Sequence, residues 1–303
     1  MDARIIGISA ALGSAASWAM GSILFKKLGE KLSPMALTLA KGTLSAVLLA
    51  VTLQLTGYQD IAPKALLLLI FSGVLGIAVG DSFFFAALEN LSPHSLVVLS
   101  TLGEILTIIW AVIVLRERPT LTAWGGISLV IVGIVTVLYP QISRSNNDSN
   151  FSGKPQPNLV FKGVIFGLVS ILCMSVSIIV AKIGMESVSA LTATFVRMLA
   201  GTTGMLLVGL TTRKVGVWMS PFQTEPKLFY QLIYSVLFIT FGGFWLSLVG
   251  IKYVDVAIAQ TLNSTDPLFA LIFAAILLKE KVTIPAFIGT IFTISGVVFI
   301  CNG

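Results

Sequence analysis

The feature that most constrains this chain is a succession of long, unbroken apolar stretches separated by short polar connections. A helix needs about 20 apolar residues to cross the hydrocarbon core of a bilayer. Windows of that length fall near 5–26, 34–55, 65–88, 94–115, 121–139, 160–181, 189–211, 229–250, 255–278 and 284–301. In lipid, backbone polar groups must be satisfied inside helices or closed barrels. A barrel requires alternating polar and apolar residues. These runs are continuous, so the expected fold is an all-α membrane protein of about ten transmembrane helices.

Composition agrees. Of the 303 residues, 56% are hydrophobic and 11% charged, against about 25% charged in soluble domains. So little charge cannot cover a water-facing surface. The first apolar segment, Ile5 to Phe25, is too long for a signal-peptide core and is read as a retained span. Cys173 and Cys301 lie inside apolar segments and read as buried thiols. The net charge of +6 fits loops facing anionic lipid and does not call for a nucleic-acid partner.

A stretch rich in Ser, Asn, Gly and Pro, Pro140 to Asn158, divides the spans five and five. The expected organisation is a first unit at 1–139, a polar linker at 140–158 and a second unit at 159–303. The two units match in register. At one offset Gly7 pairs with Gly163, Lys26 with Lys182, Ser33 with Ser189 and Lys41 with Arg197. Beyond the longer loop around Thr212 to Lys227, a second offset pairs Gly80 with Gly243, Glu117 with Glu280, Gly126 with Gly289 and Gly133 with Gly296. Five spans per unit is odd, so the second unit enters the bilayer from the opposite face. An inverted repeat of this kind suits alternating access.

These residues resemble the drug/metabolite transporter superfamily, EamA type, over nearly the whole chain outside the linker. The resemblance is carried by Trp18 in the first span, Ser33-Pro34 opening the second, and Lys41 and Arg197 at a basic position. It is carried further by Ser92-Pro93 before the fourth span, Pro267 within the ninth, and Glu117 and Glu280 closing the fourth and ninth. Where the family carries a proline in the fourth span, this chain has Glu104. The resemblance implies a secondary carrier of a small polar metabolite, amino acid or organic ion, with its site between the two units. It also implies an integral multi-pass protein of the plasma (inner) membrane with cytoplasmic termini. The loop charges give the opposite orientation, because Lys26, Lys27, Lys31, Arg213 and Lys214 fall on loops that this topology places outside.

Charged residues inside spans are costly and mark function. The candidates are Lys41, Asp81, Glu104, Arg197 and Asp266. Lys41 lies seven residues past Pro34, about 10 Å below its face, and Asp81 reaches a similar depth, so the two are expected to form an ion pair. Phe244 stands where the second unit would carry the acid matching Asp81, so Arg197 is expected to pair with Asp266. That leaves Glu104 without a basic partner. It either takes up and releases a proton, contacts a cationic group of the substrate, or stays protonated and hydrogen-bonded to a neighbouring helix. Ser100, Glu104 and Thr107 share one helix face, as do Gln260, Asn263 and Asp266; these stripes either line a polar centre or bond helix to helix. Trp18, Trp110 and Trp245 lie inside spans and either wall a pocket or pack. Trp124 and Trp218, nearer span ends, read as interfacial anchors. Gly73, Gly76 and Gly80 form a packing stripe.

The single histidine, His94, excludes a histidine cage or triad, and there is no phosphate-binding Walker loop. No cofactor or metal is expected, and the partners are a small-molecule solute, the bilayer and, in one reading of Glu104, protons. The rival classes are an intramembrane enzyme and a non-transporting receptor or lipid-handling protein.

Overall fold

The computed structural model describes residues 2–29, 31–57, 59–88, 93–145, 157–266, 268–269, 272–273 and 284–302. Pro267, Glu280, Ser92 and most of the expected linker lie outside the described residues, and so does the side chain of Ser100.

Every regular element among the described residues is helical. The helices are α1 (Ala3–Gly29), α2 (Pro34–Thr56), α3 (Pro63–Gly73), α4 (Asp81–Leu88), α5 (Pro93–Val114), α6 (Leu121–Ser145), α7 (Pro157–Gly184) and α8 (Ala190–Thr211). They continue with α9 (Val215–Thr224), α10 (Pro226–Leu237), α11 (Leu246–Tyr253), α12 (Val256–Asn263) and α13 (Ile284–Asn302). Two π-helical segments, π1 (Val74–Gly80) and π2 (Phe238–Trp245), join α3 to α4 and α10 to α11.

Among the described residues, five helices are long and apolar enough to cross a membrane: Met35–Thr56, Pro63–Phe84, Phe161–Gly184, Ala190–Thr211 and Pro226–Tyr253. Shorter apolar helices cover Leu102–Val114, Leu121–Thr136 and Phe287–Ile300. The helix starts follow local chemistry. Ser33 caps α2, its hydroxyl accepting from the Ala36 N–H at 3.3 Å, and Ser189 caps α8 by accepting from Thr192 at 3.1 Å. Each supplies a partner to an orphan N–H of the first turn. Pro63 and Pro226 open α3 and α10 where a missing N–H costs nothing.

Helix α6 meets α13, and α2 meets α8, in antiparallel pairs. Gly126 on α6 packs against Gly296 and Ile300 of α13, and Gly133 against Gly289 and Thr293. A Cβ on Gly126 would stand 2.6 Å from the Gly296 carbonyl oxygen, and the reverse substitution would do the same to Gly126. Only glycine permits so close a backbone approach. On α2, Ala36 and Leu39 cluster with Met205, whereas Leu49, nearer the other end, clusters with Met198. Gly73 likewise brings α3 onto α8, where a Cβ would lie 2.7 Å from the Arg197 Cα.

Helix α6 runs on to Ser145 and α7 starts at Pro157, so helix extends into both ends of the expected linker. Two expectations need correction. The loop around Thr212 to Lys227 holds a short helix, α9. Trp218 on α9 is no interfacial anchor: it is 7% exposed and packs on Gly209 between α2 and α8. Trp124, 40% exposed, keeps its place at the surface.

Candidate functional site

The site is built where α2, the start of α4, α8 and π2 converge. Lys41 is seven residues into α2 and 7% exposed. Its Nζ lies 3.6 Å from Asp81 Oδ2 and 5.1 Å from the centroid of the Phe244 ring. Asp81 closes π1, its backbone N–H bonding to the Gly76 carbonyl. Such a widened turn admits an extra residue and re-aims the side chains that follow. The second π segment carries Phe244 in the same way. Trp18 of α1 meets Phe244 edge to face, with centroids 4.9 Å apart, and lies against Gly243. Ser14 ties α1 to this segment by donating to the Gly243 carbonyl at 2.9 Å.

Arg197 of α8 is 8% exposed. The expected pairing with Asp266 does not form: the ion pairs among the described residues are Lys31–Glu225 and Lys41–Asp81. Instead Arg197 Nη2 donates to Ser177 Oγ at 3.1 Å. Asp81 is the carboxylate within electrostatic reach of it. Depth alone had suggested Asp266; the direction in which α8 presents its arginine, towards α3, π1 and α7, decides otherwise. Ser177, which gave no signal in the sequence beyond being a small polar residue in a span, also exchanges hydrogen bonds with Ser72.

A second polar centre joins α5 to α12. Gln260 Nε2 donates to Glu104 Oε2 at 2.7 Å. Asn263 Nδ2 donates to Gln260 Oε1 and to Ser247 Oγ, both at 3.2 Å. Glu104 therefore has a partner, but a neutral one, and Asp266 is a second acid within electrostatic reach. Thr107 returns its hydroxyl to the Gly103 carbonyl, and Ser100 lies one turn before Glu104 on α5. The two centres are linked by one stretch of chain, since Phe244 stacks under Lys41 and Ser247, three residues on, receives Asn263. Trp110 packs at the edge of the main apolar core with its Nε1 unpartnered.

Trp245 faces a cleft of about 580 Å³. The cleft is lined by the first turns of α1 (Ile6, Ser9), the start of α8 (Ser189, Leu191) and the end of α11 (Val249, Lys252, Tyr253). It therefore opens at the end of the bundle where α1 begins. Just below it a void of about 10 Å³ is bounded by Arg197, Thr194, Phe244 and Leu248. The opposite end of the bundle is filled by Leu28, Leu32, Leu37, Leu228, Leu232 and Val236, with Lys31 and Glu225 paired at its rim.

Glu117 and Lys182, read from the sequence as helix-end anchors, hold the break between α11 and α12. Glu117 accepts from the Val256 and Ala257 N–H groups at 2.7 and 3.0 Å, a carboxylate on a helix N-terminus. Lys182 donates to the Ile251 and Val254 carbonyls. Burial pushes the Glu117 carboxyl above its ordinary range, while those two hydrogen bonds pull it back.

An all-helical bundle with buried charges at two centres and apolar helices of spanning length is a helical integral membrane protein. The EamA-like transporter family model matches residues 5–139 and 161–302, and the chain belongs to that family. It is 22% identical over 282 residues to an uncharacterized transporter of Archaeoglobus fulgidus, covering 92% of each chain. It is 30% identical over 137 residues to the uncharacterized transporter YvbV of Bacillus subtilis, a match spanning 44% of this chain and 45% of that protein. A solved crystal structure shares the fold with a TM-score of 0.74 at 15% identity, covering 98% of this chain and 96% of the other.

Proposed function

We propose that the protein is a secondary carrier that moves a small polar metabolite, amino acid or organic ion by alternating access between two inverted five-helix halves. One observation carries this reading. A cleft of about 580 Å³ descends from one end of the bundle to Trp245, the residue that follows Phe244 under Lys41, and the far end is sealed mainly by leucines. The antiparallel crossings of α6 with α13 and of α2 with α8 support the inverted arrangement, because they join the helices that correspond under the repeat. The two family matches, one on either side of residues 140–160, support the division into halves. The seal is made by the end of α1 and the starts of α2 and α10. A small tilt of these helices exchanges a mouth at one end for a mouth at the other.

Glu104 supports proton coupling within this scheme. Its partner Gln260 is neutral, and among the described residues no ion pair forms at Glu104. Uptake and release of a proton then change the charge of the centre in each half-cycle.

The test is flux in liposomes containing the purified chain, with and without a pH gradient, with recovered solute checked for chemical change. Accumulation of unaltered solute supports a carrier. Conversion without flux favours a membrane enzyme.

A further inference from the structure

Among the described residues, the buried side-chain polar atoms that lack a hydrogen-bond partner are Thr38 Oγ1, Asp81 Oδ2, Trp110 Nε1, Arg197 Nε, Thr202 Oγ1 and Asn263 Oδ1. Four of these belong to the helices that meet at Lys41. Thr38 precedes it by about one turn on α2, Asp81 faces it, Thr202 packs against its neighbour Gly42, and Arg197 lies within electrostatic reach of Asp81. Buried unsatisfied groups are rare in folded proteins, and a cluster of them marks a place that water, an ion or a ligand fills.

The charges say which. Among the described residues, Asp81 is both the ion-pair partner of Lys41 and the carboxylate within electrostatic reach of Arg197, so two buried cations face one carboxylate and the centre carries one positive charge in excess. An uncompensated charge in the interior is expensive, and an anion removes the cost. The donors are also free. The 3.6 Å separation of Lys41 from Asp81 is too long for a hydrogen bond, and Arg197 uses Nη2 on Ser177 while Nε stays bare. A guanidinium with open N–H groups suits a carboxylate.

We propose that the carried solute is an organic anion whose carboxylate is held by Arg197 and Lys41, with Asp81 as the internal counter-charge that the solute displaces. This rests on the carrier reading above. The void beside Arg197 is about 10 Å³, room for no more than a water. The anion reaches its seat when the cleft deepens from Leu191 to Thr194, about 4.5 Å along α8.

The experiment uses the full chain in detergent and in liposomes, with probes matched in shape and opposite in charge: benzoate against benzylamine, and butyrate against butylamine. The carboxylates are expected to raise the melting temperature and the amines are not. Arg197→Gln and Lys41→Gln are expected to weaken the carboxylate response about tenfold or more, as loss of a charge-assisted bond does, while Arg197→Lys retains part of it. Both Gln variants must elute as folded protein, and each removes a buried positive charge without adding bulk. A response to amines alone, or a carboxylate response unchanged in both Gln variants, overturns the proposal. Liposomes that move amines and exclude acids keep the carrier reading and discard the anion. Liposomes that move no solute of any charge strike the carrier reading itself and the proposal with it.

Discussion

Lys41 sits 5.1 Å over the ring of Phe244, the residue that matches Asp81 in the register of the sequence. Lys41 is thus met by both a carboxylate and a ring face. A cation over an aromatic ring gains about 0.5–2 kcal/mol. Loss of the ring in Phe244→Leu is expected to lower the melting temperature modestly and to increase solvent access to Lys41. Labelling of a cysteine placed at Thr194, which borders the same void, checks the second point.

Removing Asp81 strands Lys41 in the interior. Asp81→Ala is expected to cost about 3–5 kcal/mol, the range for breaking one side of a buried pair. Replacing both charges together, Lys41→Met with Asp81→Leu, is expected to restore most of that stability while abolishing flux. Denaturation of the two variants in detergent and their flux in liposomes, compared with wild type, decide whether the pair serves transport or the fold.

Glu104→Gln keeps the hydrogen-bonding shape that Gln260 recognises and removes the ionisable group. Flux in this variant is expected to lose its dependence on pH while the melting temperature stays within a few degrees of wild type. A variant with the full pH response of the parent refutes the coupling role.

Much of this was legible in the sequence, and the boundary is instructive. Apolar windows located the five helices of spanning length and the shorter apolar helices among the described residues, and Ser33-Pro34 marked where α2 begins. Helix rise placed Lys41 and Asp81 at one depth, and they meet. Rise says nothing about azimuth, so it could not tell that Arg197 faces Ser177 and not Asp266. The π segments were invisible because they depend on where a backbone ladder slips by one residue, not on composition. Trp218 was misread because a short helix between spans leaves the same apolar trace as an interfacial loop.

The Glu117 carboxyl ties the α5–α6 connection to the start of α12. Its folded-state pKa lies above the ordinary 4.5, mainly through burial. The folded state therefore binds the proton more tightly than the unfolded chain. Its ionisation term costs no stability below pH 4.5 and lowers stability as pH rises from there through the folded value. Glu117→Gln is expected to flatten the dependence of the melting temperature on pH above 4.5. Glu117→Ala is expected to lose about 1 kcal/mol of helix capping as well. Melting curves of both variants across pH separate the two effects.

Tight crossing of α6 and α13 rests on Gly126 and Gly296. Gly126→Val places a branched side chain against the Gly296 carbonyl and is expected to cost about 1–3 kcal/mol through overpacking. Gly125, whose Cβ would meet nothing within 4 Å, is the control, and Gly125→Ala is expected to be neutral. Thermal unfolding in detergent distinguishes them.

The carrier account is tested most directly by cysteine accessibility in sealed vesicles of known orientation, with Cys173 and Cys301 replaced by serine. Leu191→Cys lines the cleft and Leu232→Cys lies in the leucine seal. The expected result is that a membrane-impermeant thiol reagent labels each from one side only, Leu191→Cys from the end where α1 begins and Leu232→Cys from the other. Protection of Leu232→Cys from both sides under conditions of active flux, or labelling of Leu191→Cys from either side alike, contradicts alternating access.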